Sequence, residues 1–471
     1  MSKYSERFWK KNWDPGLEDI NPKEFEMSYP EFVRSSLDTY ADNMALAFQG
    51  LEFTFRDLDR YSNQFANMLI ENGFKKGDIV AINLPNIPEY VYSFLGTLKA
   101  GCIVSGVSPL LSDVQMHYQL TDLGGSGNNI ALVTLDAIFE HRLKKIESKL
   151  TQLKLVITTS VIGSFPKDQQ EKIKAVREIP SGIVTPLEGK IVLDYHDDLL
   201  AKYSTELPAV KISPDDLAFI QYTGGTTGPP KGAMLTHRGC VSNILVIQTW
   251  LDWEKGKGVA LSGFPFFHIA GLYFCENCIY SGWPQILIPD PRDAMHICNE
   301  IKKYQPTVLV NVPSLFQILL NFRKFKRLDH SKLENCISAA SPFPKESQIQ
   351  LENMVGKGKL LEVYGMTECS PLTTANPSKG VRKLGSIGLP LLNTELKLVD
   401  PDTGEEVPLG EAGEICVRGP QVMNGYLNKP EETKKTIDVD GFMHTGDVAI
   451  MDEEGYLRIV DRTKDMIIVG G

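Results

Sequence analysis

Nine consecutive residues, Thr223 to Lys231, hold three threonines, three glycines and a lysine within the stretch QYTGGTTGPPKGAMLTHR, Gln221 to Arg238. The hydroxyls of Thr223, Thr226 and Thr227 can donate to phosphate oxygens, and Gly224, Gly225 and Gly228 let backbone N–H groups approach an anion closely. Lys231 adds a point charge. The stretch is not a Walker loop, which needs glycine before its lysine and serine or threonine after it, because Pro230 precedes Lys231 and Gly232 follows. A plain Gly/Pro turn between a strand at Leu217 to Tyr222 and a helix from about His237 is the alternative, and it leaves the clustered hydroxyls and charge without a reason. A second set, Tyr364-Gly365-Met366-Thr367-Glu368, follows a strand-like run at Leu360 to Val363. Glu368 offers a carboxylate to Mg²⁺, Thr367 a donor to phosphate and Tyr364 a flat surface to a base. By composition alone such a pentapeptide is an ordinary loop.

The elements that must hold these residues alternate. Ala45 to Phe55 reads as a hairpin around Gln49-Gly50, and a helix follows through Leu58, Tyr61, Phe65 and Leu69 to Gly73. Strand-like runs at Ile79 to Leu84, Ile103 to Val107, Ile130 to Thr134 and Leu153 to Thr158 are separated by helical ones. After the glycine-rich loop the same rhythm resumes with Val259 to Phe264, Ile286 to Ile288, Thr307 to Asn311, a strand near Ile337 and Leu360 to Val363. Such alternation predicts largely parallel sheets covered by helices, with ligands at the carboxyl ends of the strands. From about Ser386 short strands and turns replace it. Residues 160–212 show no periodicity and read as a connecting excursion. Gly124, Gly125 and Gly127 do not form a dinucleotide fingerprint, since the third glycine is missing and the loop precedes a strand.

Composition excludes several classes. With 49 basic against 59 acidic side chains the net charge is −10, and no long basic run occurs, so nucleic acid is not an expected partner. The eight cysteines lack the density of a secreted disulfide framework, which points to a reducing, cytoplasmic setting. Cys275 and Cys278 form a C-x-x-C without a second pair to complete a zinc site, and the surrounding GLYFCENCIY reads as a buried helix. No uninterrupted run of 18 apolar residues predicts a membrane span. Phe8, Trp9 and Trp13, among lysines, suggest an N-terminal helix packed on its own domain, with peripheral membrane contact at most.

The first stretch resembles the signature loop of the adenylate-forming superfamily, which includes acyl- and aryl-CoA ligases, luciferases and the adenylation domains of peptide synthetases. YTGGTTG, with Gly224 where many members carry serine, is most similar to the fatty-acyl-CoA ligases, and YGMTE matches the second signature residue by residue. The resemblance implies that Thr226, Lys231, Thr367 and Glu368 serve catalysis, with Glu368 on Mg²⁺. It assigns Thr223, Gly224, Gly225, Thr227, Gly228, Tyr364 and Gly365 to the nucleotide, together with Ala340 of Ser338 to Pro342. It implies that Asp447 of His444-Thr445-Gly446-Asp447 holds the ribose hydroxyls, that Arg462 adds a ribose contact, and that Lys464 is a hinge. Phe266-Phe267-His268 resembles the motif bordering the acyl pocket, which places His268 and Gly271 there. Amino-acid-activating relatives carry an aspartate in this neighbourhood, and none stands here, so an acid without an α-amine is favoured.

The expected architecture is therefore α/β: a large core, 1–385, of two layered subdomains with the phosphate loop at 222–232, then a β-rich, barrel-like subdomain at 386–461. Residues 462–471 would be the hinge and the start of a further domain carrying another catalytic lysine, so this chain is expected to be an N-terminal portion that turns over feebly. The expected activity is an ATP-dependent fatty-acid–CoA ligase using Mg²⁺, with ATP and CoA as substrates. An aryl-acid CoA ligase, or a non-catalytic nucleotide- or acyl-adenylate-binding module, is the alternative. Trp250, Trp253 and Trp283 are either core or the walls of an acyl tunnel.

Overall fold

The computed structural model describes residues 3–224 and 228–462, with side chains through 460. Helix starts follow local chemistry. Thr54 caps Phe55–Glu71 in a capping box with Asp57, and Ser112 does the same with Gln115 for Asp113–Gly124, so first-turn N–H groups find acceptors. The runs Ile79–Asn83 and Ile130–Leu135 are buried throughout, as strands covered on both faces must be.

Two sheets result, both largely parallel. A seven-stranded one runs Ile191–Asp194, Leu153–Thr159, Ile130–Leu135, Ile79–Asn83, Ile103–Gly106, Leu217–Thr223, Lys231–Thr236; its last pair is antiparallel. The other has nine strands, parallel from Leu360–Gly365 through Asn335–Ser338, Val308–Asn311, Ala260–Ser262 and Gln285–Leu287 to Met44–Phe48. The early hairpin thus joins the sheet built mainly by the second half of the chain. Its buried strand Met44–Phe48 covers the edge that Gln285–Leu287 would otherwise expose. A separate antiparallel meander, Glu395–Val399, Ala412–Arg418, Met443–Met451, Leu457–Arg462, is open in strand order.

The stretch 160–212 is more regular than its sequence suggests. It contains the helix Lys167–Val176 and the edge strand Ile191–Asp194, followed by one π-helical segment, Tyr195–Leu200. The helix buries no side chain, which is why no apolar period marked it. Trp9 and Trp13 are buried against the body of the protein, the former on a short 3₁₀ helix, Phe8–Asn12. Cys275 and Cys278 lie buried and unbridged in the helix Ile269–Ser281, and all eight cysteines are free. No helix among the described residues is long and apolar enough to cross a membrane.

Candidate active site

The glycine-rich loop joins two antiparallel strands, not a strand and a helix. Thr223 stands opposite Lys231 across Leu217–Thr223 and Lys231–Thr236, and the Thr223 hydroxyl donates to the Lys231 carbonyl at 3.4 Å. The strand after the loop was not legible because KGAMLT is short and runs directly into the helix capped by Thr236. A Cβ on Gly224 or Gly228 would meet nothing within 4 Å, so the backbone at these two positions faces open space. Gly225, Thr226, Thr227 and Lys464 lie outside the described residues. So does the Arg462 side chain.

Lys231 and Glu368 meet through a residue that sequence reasoning missed. The Tyr426 hydroxyl donates to Glu368 Oε1 at 2.7 Å, while the Lys231 ammonium lies 4.4 Å from the centroid of the Tyr426 ring. Tyr426 is held there by backbone bonds on both sides: Met234 N–H to the Gly425 carbonyl and Leu427 N–H to the Gly232 carbonyl, at 2.9 and 2.8 Å. A lone tyrosine between glycine and leucine carries no chemical signal in sequence. Lys231 also approaches Glu432 Oε2 at 3.5 Å.

Glu368 is 5% exposed, on the short 3₁₀ turn Thr367–Cys369, and Thr367 beside it is also buried. Burial pushes the Glu368 carboxyl above its ordinary range and the Asp447 charge adds to the rise, while the Tyr426 hydroxyl and Lys231 oppose it. A single buried oxygen donor among groups suited to phosphate fits Mg²⁺, which takes one or two carboxylates and completes its shell with water and phosphate oxygens. The donor set therefore accommodates the ion.

Tyr364 is the penultimate residue of the strand Leu360–Gly365, and its hydroxyl donates to Asp447 Oδ2 at 2.7 Å. Gly365 can only be glycine, because a Cβ there would lie 2.1 Å from the Pro371 carbonyl oxygen. Ala340 follows the strand Asn335–Ser338 with φ +74°, a left-handed conformation that turns the chain sharply beside the site. Asp447 sits on Met443–Met451, in register with Arg462 on the neighbouring strand. A second overlooked residue, Glu414, braces this segment. Its Oε1 accepts from Gly446 N–H at 2.9 Å and its Oε2 lies 2.9 Å from His444 Nδ1. Cys416 Sγ is 3.4 Å from the same ring nitrogen, and among the described residues these three make the group whose donor atoms converge within 4.8 Å. The sequence left Glu414 as a plain strand residue.

Beside this polar cluster lies an apolar cavity of about 40 Å³. Ala270, Tyr273, Phe274 and Asn277 line it from the helix Ile269–Ser281, Ala339 and Val363 from the strand ends, and Trp253 also faces it. The preceding loop is fixed by Asn86, which donates to the Phe264 carbonyl at 2.9 Å and accepts from Phe266 N–H at 2.8 Å, and by the Tyr90 hydroxyl on the Phe266 carbonyl. His268 is exposed and caps the helix, its Nδ1 accepting from Ala270 N–H at 3.2 Å. Gly271 lets the helix pack on the loop, since a Cβ would come within 2.3 Å of the Pro265 carbonyl oxygen. Neither His268 nor Gly271 lines the cavity; they position its wall.

A lysine, a buried carboxylate and a carboxylate–tyrosine pair gathered where two parallel sheets present their strand ends define a nucleotide-handling α/β enzyme. The chain belongs to the AMP-binding enzyme family, whose model matches residues 33–427. It is 38% identical over 458 residues to a long-chain-fatty-acid–CoA ligase of Salmonella typhimurium, covering 96% of this chain and 80% of that one. A long-chain-fatty-acid–CoA ligase of Bacillus subtilis is also 38% identical, with 93% and 77% covered. Among solved structures, ATP-bound MatB from Rhodopseudomonas palustris matches with a TM-score of 0.80 at 28% identity, over 94% of this chain and 81% of that one.

Proposed function

We propose that the protein is an AMP-forming ligase that joins a long-chain fatty acid to CoA. The fatty-acid carboxylate attacks the α-phosphorus of ATP, forming the acyl–phosphate bond as the bond to pyrophosphate breaks. The CoA thiol then attacks the acyl carbonyl, the thiol proton is lost, and AMP leaves. The observation that carries this reading is the adjacency of an apolar cavity, ending at Ala339 and Val363, to the cluster of Tyr364, Glu368, Lys231 and Asp447.

In this reading Lys231 and the loop hydroxyls of Thr223, Thr226 and Thr227 take the phosphates, with Thr367 as a further donor. Tyr364 packs against adenine, and Asp447 accepts from the ribose hydroxyls with Arg462 beside it. Glu368 would hold Mg²⁺, which when bound neutralises charge on the phosphate oxygens. Tyr426 keeps the Glu368 carboxylate aimed. Free buried cysteines throughout support a reducing, cytoplasmic setting and a place in lipid metabolism.

ATP–pyrophosphate exchange with Mg²⁺ and acids from acetate to palmitate and cinnamate tests this, on residues 1–471 and on a version continued beyond Gly471. Exchange driven by long fatty acids supports the proposal. Exchange driven by cinnamate alone makes the protein an aryl-acid ligase, and ATP binding without exchange in either version makes it a binding module.

A further inference from the structure

Three donor atoms of different chemistry converge on the antiparallel meander. Cys416 pairs with His444 across Ala412–Arg418 and Met443–Met451, so both side chains leave the sheet on one face, and Glu414, two residues back, shares it. An irregular register makes this possible. Between the pair Glu414 and Val448 and the pair Cys416 and His444, the first strand moves two residues while the second moves four, with Gly446 at φ +76° in the extra length. In regular pairing Gly446, which has no side chain, would stand opposite Cys416.

The ring nitrogen is over-subscribed. His444 Nδ1 lies 2.9 Å from Glu414 Oε2 and 3.4 Å from Cys416 Sγ, yet a neutral imidazole nitrogen carries one proton or one lone pair and so serves one of the two. Glu414 is oriented through its other oxygen, which accepts from Gly446 N–H at 2.9 Å. On the far side of the ring, Asp438 Oδ2 lies 3.7 Å from His444 Nε2. That carboxylate is itself fixed, its Oδ1 accepting from the N–H groups of Asp440 and Phe442 at 2.9 and 2.8 Å.

We propose that Glu414, Cys416 and His444 bind one zinc ion, at a site distinct from the Mg²⁺ role of Glu368. The ligand atoms are Glu414 Oε2, Cys416 Sγ and His444 Nδ1, and water completes a tetrahedron where the half-buried His444 meets solvent. Bonds of about 2.3 Å to sulfur and ~2.0–2.2 Å to nitrogen and oxygen put tetrahedral edges at roughly 3.4–3.6 Å. The N···S separation of 3.4 Å is already such an edge, and the N···O separation of 2.9 Å becomes one with a shift of roughly 0.5 Å. Thiolate and imidazole select zinc over magnesium, which takes oxygen ligands. On binding, the thiol proton leaves to solvent and the ring proton sits on Nε2, facing Asp438, whose carboxylate fixes that tautomer. The ion ties together the two strands beside the Gly446-Asp447 turn.

The test strips the 471-residue chain with a chelator and titrates it with Co²⁺, a spectroscopic substitute for zinc. One equivalent is expected to give a thiolate-to-cobalt charge-transfer band, which Zn²⁺ erases and Mg²⁺ does not. Cys416→Ser is expected to lose the band, and a double Cys275→Ser, Cys278→Ser variant to keep it. Asp438→Asn leaves all three ligands in place and is expected to weaken metal affinity about 10- to 100-fold, as loss of a ligand's outer partner typically does; it keeps the test decisive should Cys416→Ser fail to fold. With Zn²⁺ at about 100 times its Kd, the folding equilibrium of the parent in urea should shift about 100-fold. The proposal is overturned if one equivalent of Co²⁺ gives no band, if the band survives Cys416→Ser or vanishes in the double variant, or if Asp438→Asn binds metal as tightly as the parent.

Discussion

The Tyr364 hydroxyl donates to Asp447 Oδ2 at 2.7 Å, and this bond ties the end of a strand in the nine-stranded sheet to the four-stranded meander. The carboxylate assigned to the ribose is thereby oriented from outside its own sheet. A hydrogen bond to a charged acceptor is worth about 1.5–3 kcal/mol. Tyr364→Phe is therefore expected to raise KM for ATP about tenfold or more with a smaller effect on kcat. Steady-state kinetics at varied ATP decide it, and an unchanged KM would detach Asp447 orientation from Tyr364.

Glu368→Gln keeps the shape of the side chain and the partner for Tyr426 while removing the charge. Loss of a positioned group that stabilises developing charge typically costs about 10²- to 10³-fold in rate. The variant is expected to lose that much exchange activity and to need far more Mg²⁺. A parental rate with the parental Mg²⁺ dependence would take Glu368 out of the metal role.

His237 is buried, its Nδ1 accepting from Tyr29 N–H at 3.2 Å, and desolvation, reinforced by Lys76 and opposed by Asp216, lowers its pKa to about 4. The ring is neutral in the fold but titrates near its ordinary value, 6.5, when the chain unfolds. Its contribution is complete above pH 6.5 and is lost as pH falls from 6.5 to about 4, amounting to about 3 kcal/mol. His237→Gln should flatten that part of the stability curve in urea titrations. A variant whose stability falls with acid as steeply as the parent's would refute this.

Glu276 is buried with neither carboxyl oxygen hydrogen-bonded, and burial raises its pKa well above the usual 4.5. It stabilises the fold only while protonated, so that contribution is full below pH 4.5 and lost as pH rises through the folded value. Glu276→Met should therefore stabilise by about 1–3 kcal/mol at pH 8 and by less at pH 5. Thermal melts at the two pH values would contradict the idea if the variant were the less stable at pH 8.

Much of the fold was legible because period and punctuation agree with burial along most of the chain. The buried strand Ile79–Asn83 and the capped helix Phe55–Glu71 each announce themselves locally. Where burial is absent, as in Lys167–Val176, so is the signal. Of the candidate site, Lys231 stands in a stretch dense with hydroxyls and glycines, while Tyr364, Glu368 and Asp447 were picked out by the resemblance of their motifs to the superfamily's signatures. Tyr426 and Glu414 were not, since each acts on a partner remote in sequence and looks ordinary among its neighbours.

The sequence by itself determined the α/β alternation, the family resemblance and the residue types available for phosphate, metal and ribose, because these depend on local pattern. Only the tertiary structure decided that the early hairpin completes the later sheet, that Tyr426 links Lys231 to Glu368, and that Trp253 lines two cavities. Those relationships join residues far apart along the chain, and such distances are set by packing and sheet register, which no short stretch of sequence encodes.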